Sequence, residues 1–271
     1  MQFLRISILF VLFLQSAECL GQRAIPFDLA VSPSRHLIGA AAGDSIARFV
    51  NLNNVGASQS DFVVRTLDWD MSPSGTAIYQ DTLRVGSCRP WVAIERRQVS
   101  VDAGQTRVYR FQIDIPKGTP RGECRFMITF EGAAPAAQTV TKSAAGELRA
   151  PVMARIAIPV YIAIGGAAPK LEMVGTATAT INGTRTPVVR VANRGDAHGR
   201  LEGGVDGVDG DGQDVVLVPE ESPILPGQTR EIPLTLRSAR GQRAPAVKLP
   251  IKASGSLDWD GGTLKLDARF D

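Results

Sequence analysis

Residues 155–166 read RIAIPVYIAIGG, with an aliphatic at every second position: Ile156, Ile158, Val160, Ile162 and Ile164. Such alternation fits a strand, because successive side chains leave a strand on opposite faces. The residues between them, Ala157, Pro159, Tyr161 and Ala163, carry no charge either. A strand that is apolar on both faces needs cover on both, from its own fold, a second domain or a partner strand. Pro159 cannot donate to a ladder, so at least one side of this strand is expected at a sheet edge.

Further strand-like runs fall near residues 27–31, 45–52, 61–68, 99–115, 124–130, 151–164, 187–191, 215–218, 231–236, 247–253 and 264–270. Turn signals separate them, among them Asn53–Asn54, Ser72–Gly75, Pro116–Gly122 and DGVDGDGQD at 206–214. Many short strands, 27 Gly, 17 Pro and no long 3.6-residue periodicity predict an all-β chain of two β-sandwich domains. The Gly, Ala and Pro of GGAAPK at 165–170 place the boundary, giving an N-terminal domain over 22–165 and a C-terminal one over 166–271. A faint echo relates the two. AGQTRVYRFQI at 103–113 resembles PGQTREIPLTL at 226–236, and RFVNLNNVG at 48–56 resembles VVRVANRGD at 188–196. LDWD also occurs twice, at 67 and 257, but in a different order relative to the GQTR turns, which reads as coincidence. The Ala-, Ser- and Thr-rich stretch at 131–150 is expected to be a long loop.

Arg5, the apolar stretch Ile6–Leu14 and the small residues that follow have the layout of a signal peptide over residues 1–21. No later segment is apolar for long enough to cross a membrane as a helix, so the mature chain is expected to be exported. Glu18 stands where a bacterial lipobox wants a small residue, which argues against lipidation of Cys19. Removing the signal leaves Cys88 and Cys124, a disulfide candidate in a compartment where disulfides persist; two buried thiols that never meet are the alternative. A net charge of +3, spread through the strands, makes no case for nucleic acid.

Catalysis has little to stand on. His36 and His198 lie in no metal-ligand spacing, and no G-x-S-x-G elbow or phosphate-binding Gly loop occurs, so no catalytic residue, metal or cofactor is assigned. Asp206, Asp209, Asp211 and Asp214 offer oxygens to calcium but lack the EF-hand register, and a solvated Gly/Asp hairpin turn is the simpler reading. Asn182-Gly-Thr matches a glycosylation acceptor. Binding is better supported. An apolar edge that no charge blunts suits β-augmentation, in which an incoming strand is held by main-chain hydrogen bonds.

Several segments, taken in order, resemble the periplasmic chaperones of pilus and fimbria assembly. FDLAVSPSRHLIGAAAGDSI resembles that family's first strand, RFVNLNN the strand ending in Asn, and FVVRTLDWD the next strand with its acidic-Trp ending. SCRPWVAIERRQVSVDAGQTRVYRFQIDIP resembles the stretch leading into a long strand, and VMARIAIPVYIAIGG takes the place of the last strand. The resemblance covers the signal and the first domain. It implies a two-domain immunoglobulin-like protein whose last strand is lent to a pilus subunit, with an outer-membrane usher as a further candidate partner. It also implies that an Arg and a Lys anchor the subunit's terminal carboxylate. The Arg position falls on Arg35, whereas the Lys position falls on Tyr161, so half of the clamp is missing.

Together these readings predict a non-enzymatic chaperone-like protein that binds pilin-like or surface subunits through Arg35, Ile156, Ile158, Val160, Tyr161, Ile162 and Ile164. The alternative is a structural or adhesive envelope protein whose sandwiches bind glycan or another envelope protein.

Overall fold

The computed structural model describes residues 28–134, 137–143, 146–237 and 246–271. The expected signal at 1–21, with Cys19, lies outside them. The chain is all-β, and its only helical element among the described residues is a 3-10 turn at Arg89–Trp91. No described helix is long and apolar enough to cross a membrane.

The first sheet system begins with β1 (Leu29–Ser32), β2 (His36–Ala40), β3 (Ser45–Asn54), β4 (Ser60–Met71), β5 (Ala77–Gln80) and β6 (Val92–Ile94). It continues through β7 (Gln98–Val101), β8 (Thr106–Asp114), β9 (Gly122–Gly132), β10 (Ala137–Ser143), β11 (Gly146–Val152) and β12 (Arg155–Ile164). One sheet runs β1-β3-β8-β6 and the other β2-β12-β9-β4-β5, with β7 also on β4. The first segment therefore changes sheets between Ser32 and His36, pairing first with β3 and then, in parallel, with β12. Between the sheets lies a core that includes Val50, Leu52, Tyr109, Ile113, Phe126, Ile128 and Phe130. Cys88 and Cys124 form a disulfide, their Cα atoms 6.1 Å apart.

The second system holds β13 (Leu171–Ile181), β14 (Thr184–Asn193), β15 (Glu202–Gly203), β16 (Val205–Val208), β17 (Asp214–Pro219), β18 (Thr229–Leu236), β19 (Ile251–Trp259) and β20 (Gly262–Phe270). Its strands follow the order β13-β14-β18-β17-β16-β19-β15, with β20 on β19, and fold over a core of their own. No described strand pair joins the two systems; the chain passes between them at 165–170.

Two local expectations need correction, and two turns can be described in full. The expected loop at 131–150 contains two paired arms, β10 and β11, in register from Ala137↔Val152 to Ser143↔Gly146. The β-branched Thr139, Val140 and Thr141 suit that extended backbone. The run at 99–115 is two strands, because Gly104 (φ +66°) turns the chain and Gln105 N–H closes on Asp102 O at 3.1 Å. Asn182-Gly183 is the two-residue turn joining β13 to β14, both residues at positive φ. In DGVDGDGQD the Asp209 carboxylate accepts from the main-chain N–H groups of Asp211 and Gln213, both at 2.9 Å, and so closes the β16–β17 hairpin.

Candidate functional site

Register explains why β12 is apolar on both faces. Ile158, Val160, Ile162 and Ile164 are buried in the first core, with Ile156 packed against it. On the other face, Tyr161 joins a separate buried cluster with Leu67, Trp69, Met71 and Met127, and Leu225 of the second domain completes it; Ala157 packs alongside. β4 is divided in the same way, Phe62 and Val64 pointing into the core and Leu67, Trp69 and Met71 toward the second domain. The aliphatics of β12 that were expected to meet a partner pack inside this chain. Four of them are already used by the chain's own core, and Tyr161 is held in the seam between domains.

Polar contacts fix that seam. The Glu123 carboxylate, on β9 and buried, accepts the His198 main-chain N–H at 2.8 Å and meets ring Nδ1 of the same residue at 2.5 Å. The His198 ring stacks on Tyr161 with centroids 3.7 Å apart, and Trp69 meets Tyr161 edge-on at 5.7 Å. Gln228 Nε2 donates to Met71 O at 3.0 Å, again across the seam. Burial pushes the Tyr161 hydroxyl up to about 12, so it stays protonated, and it accepts a 3.0 Å hydrogen bond from Arg200 Nη2.

Arg200 sets a cation beside Tyr161. Its Nη1 donates to the Glu221 main-chain carbonyl at 2.7 Å, and the guanidinium lies over the Tyr161 ring at 5.8 Å. Arg35 is exposed on the wall of the same cleft, a hollow of about 420 Å³ that also contains Arg200, Glu202, Pro219 and Glu221. Among the described residues, no carboxylate lies within ion-pair distance of either guanidinium.

β12 has an open edge beside this cleft. β9 pairs with it from Arg155 to Ile164, but β2 pairs only from Val160 to Ile164. Arg155–Pro159 thus has one side without a described strand. Pro159 sits where that side changes from open to paired, as its missing N–H requires. His36 is level with Val160, which puts Arg35 level with Pro159, at the end of the open edge.

The seam residues Glu123, His198, Arg200 and Leu225 were not singled out as a site from the sequence. The alternation His198-x-Arg200 is the one local hint, since it puts both on the same side of an extended backbone.

No family model and no curated protein matches this chain. Among solved structures, the YadV chaperone is similar at 14% identity over 89% of this chain and 99% of its own, with a TM-score of 0.46. The Salmonella enterica SafB chaperone, solved with the SafA pilin, gives 10%, 89%, 97% and 0.46. The CsuC chaperone of Acinetobacter baumannii, solved with the CsuE tip adhesion subunit, gives 12%, 89%, 97% and 0.44.

Proposed function

We propose that the protein is an exported, periplasmic chaperone-like binder of pilin-like or surface subunits, and that it pairs with them through main chain rather than through the aliphatics of β12. The observation that carries this reading is the open edge at Arg155–Pro159, which ends level with Arg35 in a cleft shared with Arg200. A strand added there and running parallel to β12 meets the start of β2 and can go no further. A chain terminus fits that stop, and its carboxylate would lie beside two guanidiniums that have no ion-pair partner among the described residues. Each added ladder bond contributes about 1 kcal/mol and a charge-assisted one about twice that, enough for a hold that a better strand can displace. Tyr161 serves by positioning Arg200. The Cys88–Cys124 disulfide supports an oxidising compartment. An usher remains a further proposed partner, suggested by the sequence resemblance alone.

The burial of Ile158, Val160 and Ile162 suits the structural or adhesive alternative equally well, so the test must leave them untouched. Ala157 has the same strand parity as Pro159, so its N–H faces the open side, and Ala157→Pro removes it without breaking the β9 ladder. Wild type, Ala157→Pro and Arg35→Glu/Arg200→Glu are compared for copurification from the native envelope extract, with circular dichroism as the check on folding. The expected result is a small β-rich partner retained by wild type and lost by both folded variants. Equal retention by all three, or no partner for any, overturns the proposal in favour of the structural alternative.

A further inference from the structure

β4 has a second unfilled edge, away from β12. On its outer side β7 pairs with Ser60–Val63 and β5 with Asp68–Met71, leaving Val64–Leu67 between them without a described outer strand. Val64 N–H is taken by Arg97 O at 2.9 Å, and the Arg65 carbonyl by the Thr129 hydroxyl at 3.3 Å on the β9 side. Thr66 shares the parity of Val64, so its main chain faces outward. Nearby, β6 pairs with β8 alone among the described strands, so one of its sides has no described neighbour.

These edges line an elongated groove. One hollow of about 420 Å³ includes Val64, Leu83, Val92 and Ile94; a second of about 610 Å³ adjoins it and shares Val64, Arg65 and Arg97. The two arginines thus stand at the waist. Both are exposed, and among the described residues neither guanidinium has an ion-pair partner. Arg97 does not hang from a loose loop: the buried Tyr109 hydroxyl donates to Arg96 O at 2.5 Å and so pins the preceding residue to the core. Asp81 lies at the far end, where Arg89 donates to its main-chain carbonyl at 2.9 Å. Leu83, 60% exposed, extends the apolar surface outward.

We infer that this groove is a docking site for an extended, acidic segment of a partner protein, distinct from any strand bound at β12. The open Thr66 main chain offers ladder bonds, the partly exposed Val92 and Ile94 with Leu83 take apolar side chains, and Arg65 with Arg97 selects carboxylates between them. An extended occupant is the kind that an open strand edge can pair with.

The test uses the purified protein and two ten-residue synthetic peptides, one alternating Asp with Val and the other Lys with Val, followed by fluorescence anisotropy. The Asp peptide is expected to bind at least about tenfold more tightly, a preference that Arg65→Glu/Arg97→Glu inverts and that falls as salt is raised. The single variants Arg65→Gln and Arg97→Gln, both at exposed positions, should each weaken binding severalfold if the double variant fails to fold. Ala157→Pro should leave the preference intact, separating this groove from the β12 edge. Equal affinity for the two peptides overturns the inference, as does a preference that survives both glutamine variants or disappears with Ala157→Pro.

Discussion

The two domains end corresponding strands in the same device and then put it to different uses. Asn54 closes β3 and Asn193 closes β14; both are buried. Asn54 Nδ2 donates to Ser58 O (2.7 Å) and Val101 O (2.9 Å), while Asn193 Nδ2 donates to Ala197 O and Ile224 O, both at 2.8 Å. In each case Oδ1 accepts the N–H of the glycine two residues on, Gly56 or Gly195. In each case the Asn main-chain N–H reaches the glutamine of a GQTR turn, Gln105 or Gln228. The difference lies further along the turn. Arg107 is half-exposed and bonds to Ser100 O, whereas Arg230 is buried, with Nη1 on Ser222 Oγ and Pro223 O. Gln228, unlike Gln105, also reaches into the other domain. A local sequence repeat therefore specifies the clamp, and the neighbouring domain decides which copy becomes interior.

The strongest way to separate the domains is the disulfide, which the first possesses and the described part of the second lacks. Removing it by Cys88→Ala/Cys124→Ala, across a separation of 36 residues, should cost the first domain about 4 kcal/mol of stability and leave the second domain's transition in place. Urea unfolding read by tryptophan fluorescence and by far-UV circular dichroism checks this. Next come the clamps. Asn54→Ala and Asn193→Ala should each cost about 3 kcal/mol, because buried carbonyls and a glycine N–H lose their partners. The second should cost more, since Asn193 Oδ1 also accepts Lys170 N–H from the interdomain segment at 3.2 Å. Equal costs would break the claim that this copy has been recruited to the junction.

Smaller effects sharpen the same contrast. Arg230→Ala should cost about 2 kcal/mol and Arg107→Ala less than about 0.5, as chemical denaturation of each variant can show. Burial, assisted by Arg48, holds the His36 ring below its ordinary range. Its folded pKa is thus lower than the unfolded value of about 6.5. The stability it contributes is complete above that pH and is lost as pH falls through the folded value. Thermal melts between pH 7 and 5 should show the first domain weakening, and His36→Phe, which keeps an aromatic ring against Phe111, should flatten that slope.

The all-β class was legible because period-2 runs and Gly/Pro turns need no tertiary information. The pairing of Asn54 with Asn193 was visible as a strand ending in Asn, although its four-way hydrogen bonding was not. β12 was legible as a strand, but what covers its two faces was not. Local pattern reports that both faces are dry and cannot report that Leu225, more than sixty residues later in the chain, covers one of them. Arg200 escaped notice for a related reason. Its partner Tyr161 lies 39 residues away, and nothing near Arg200 in the sequence marks it as belonging to a cleft that Arg35 also lines.

The central claim is that main chain, not buried side chains, meets the client at β12. Amide hydrogen exchange of the copurified complex against the free protein tests it directly. The account predicts new protection confined to the open stretch at 155–158 and little change at 160–164, where β2 and β9 already pair. Unchanged exchange at 155–158 on a complex that is demonstrably formed would contradict it.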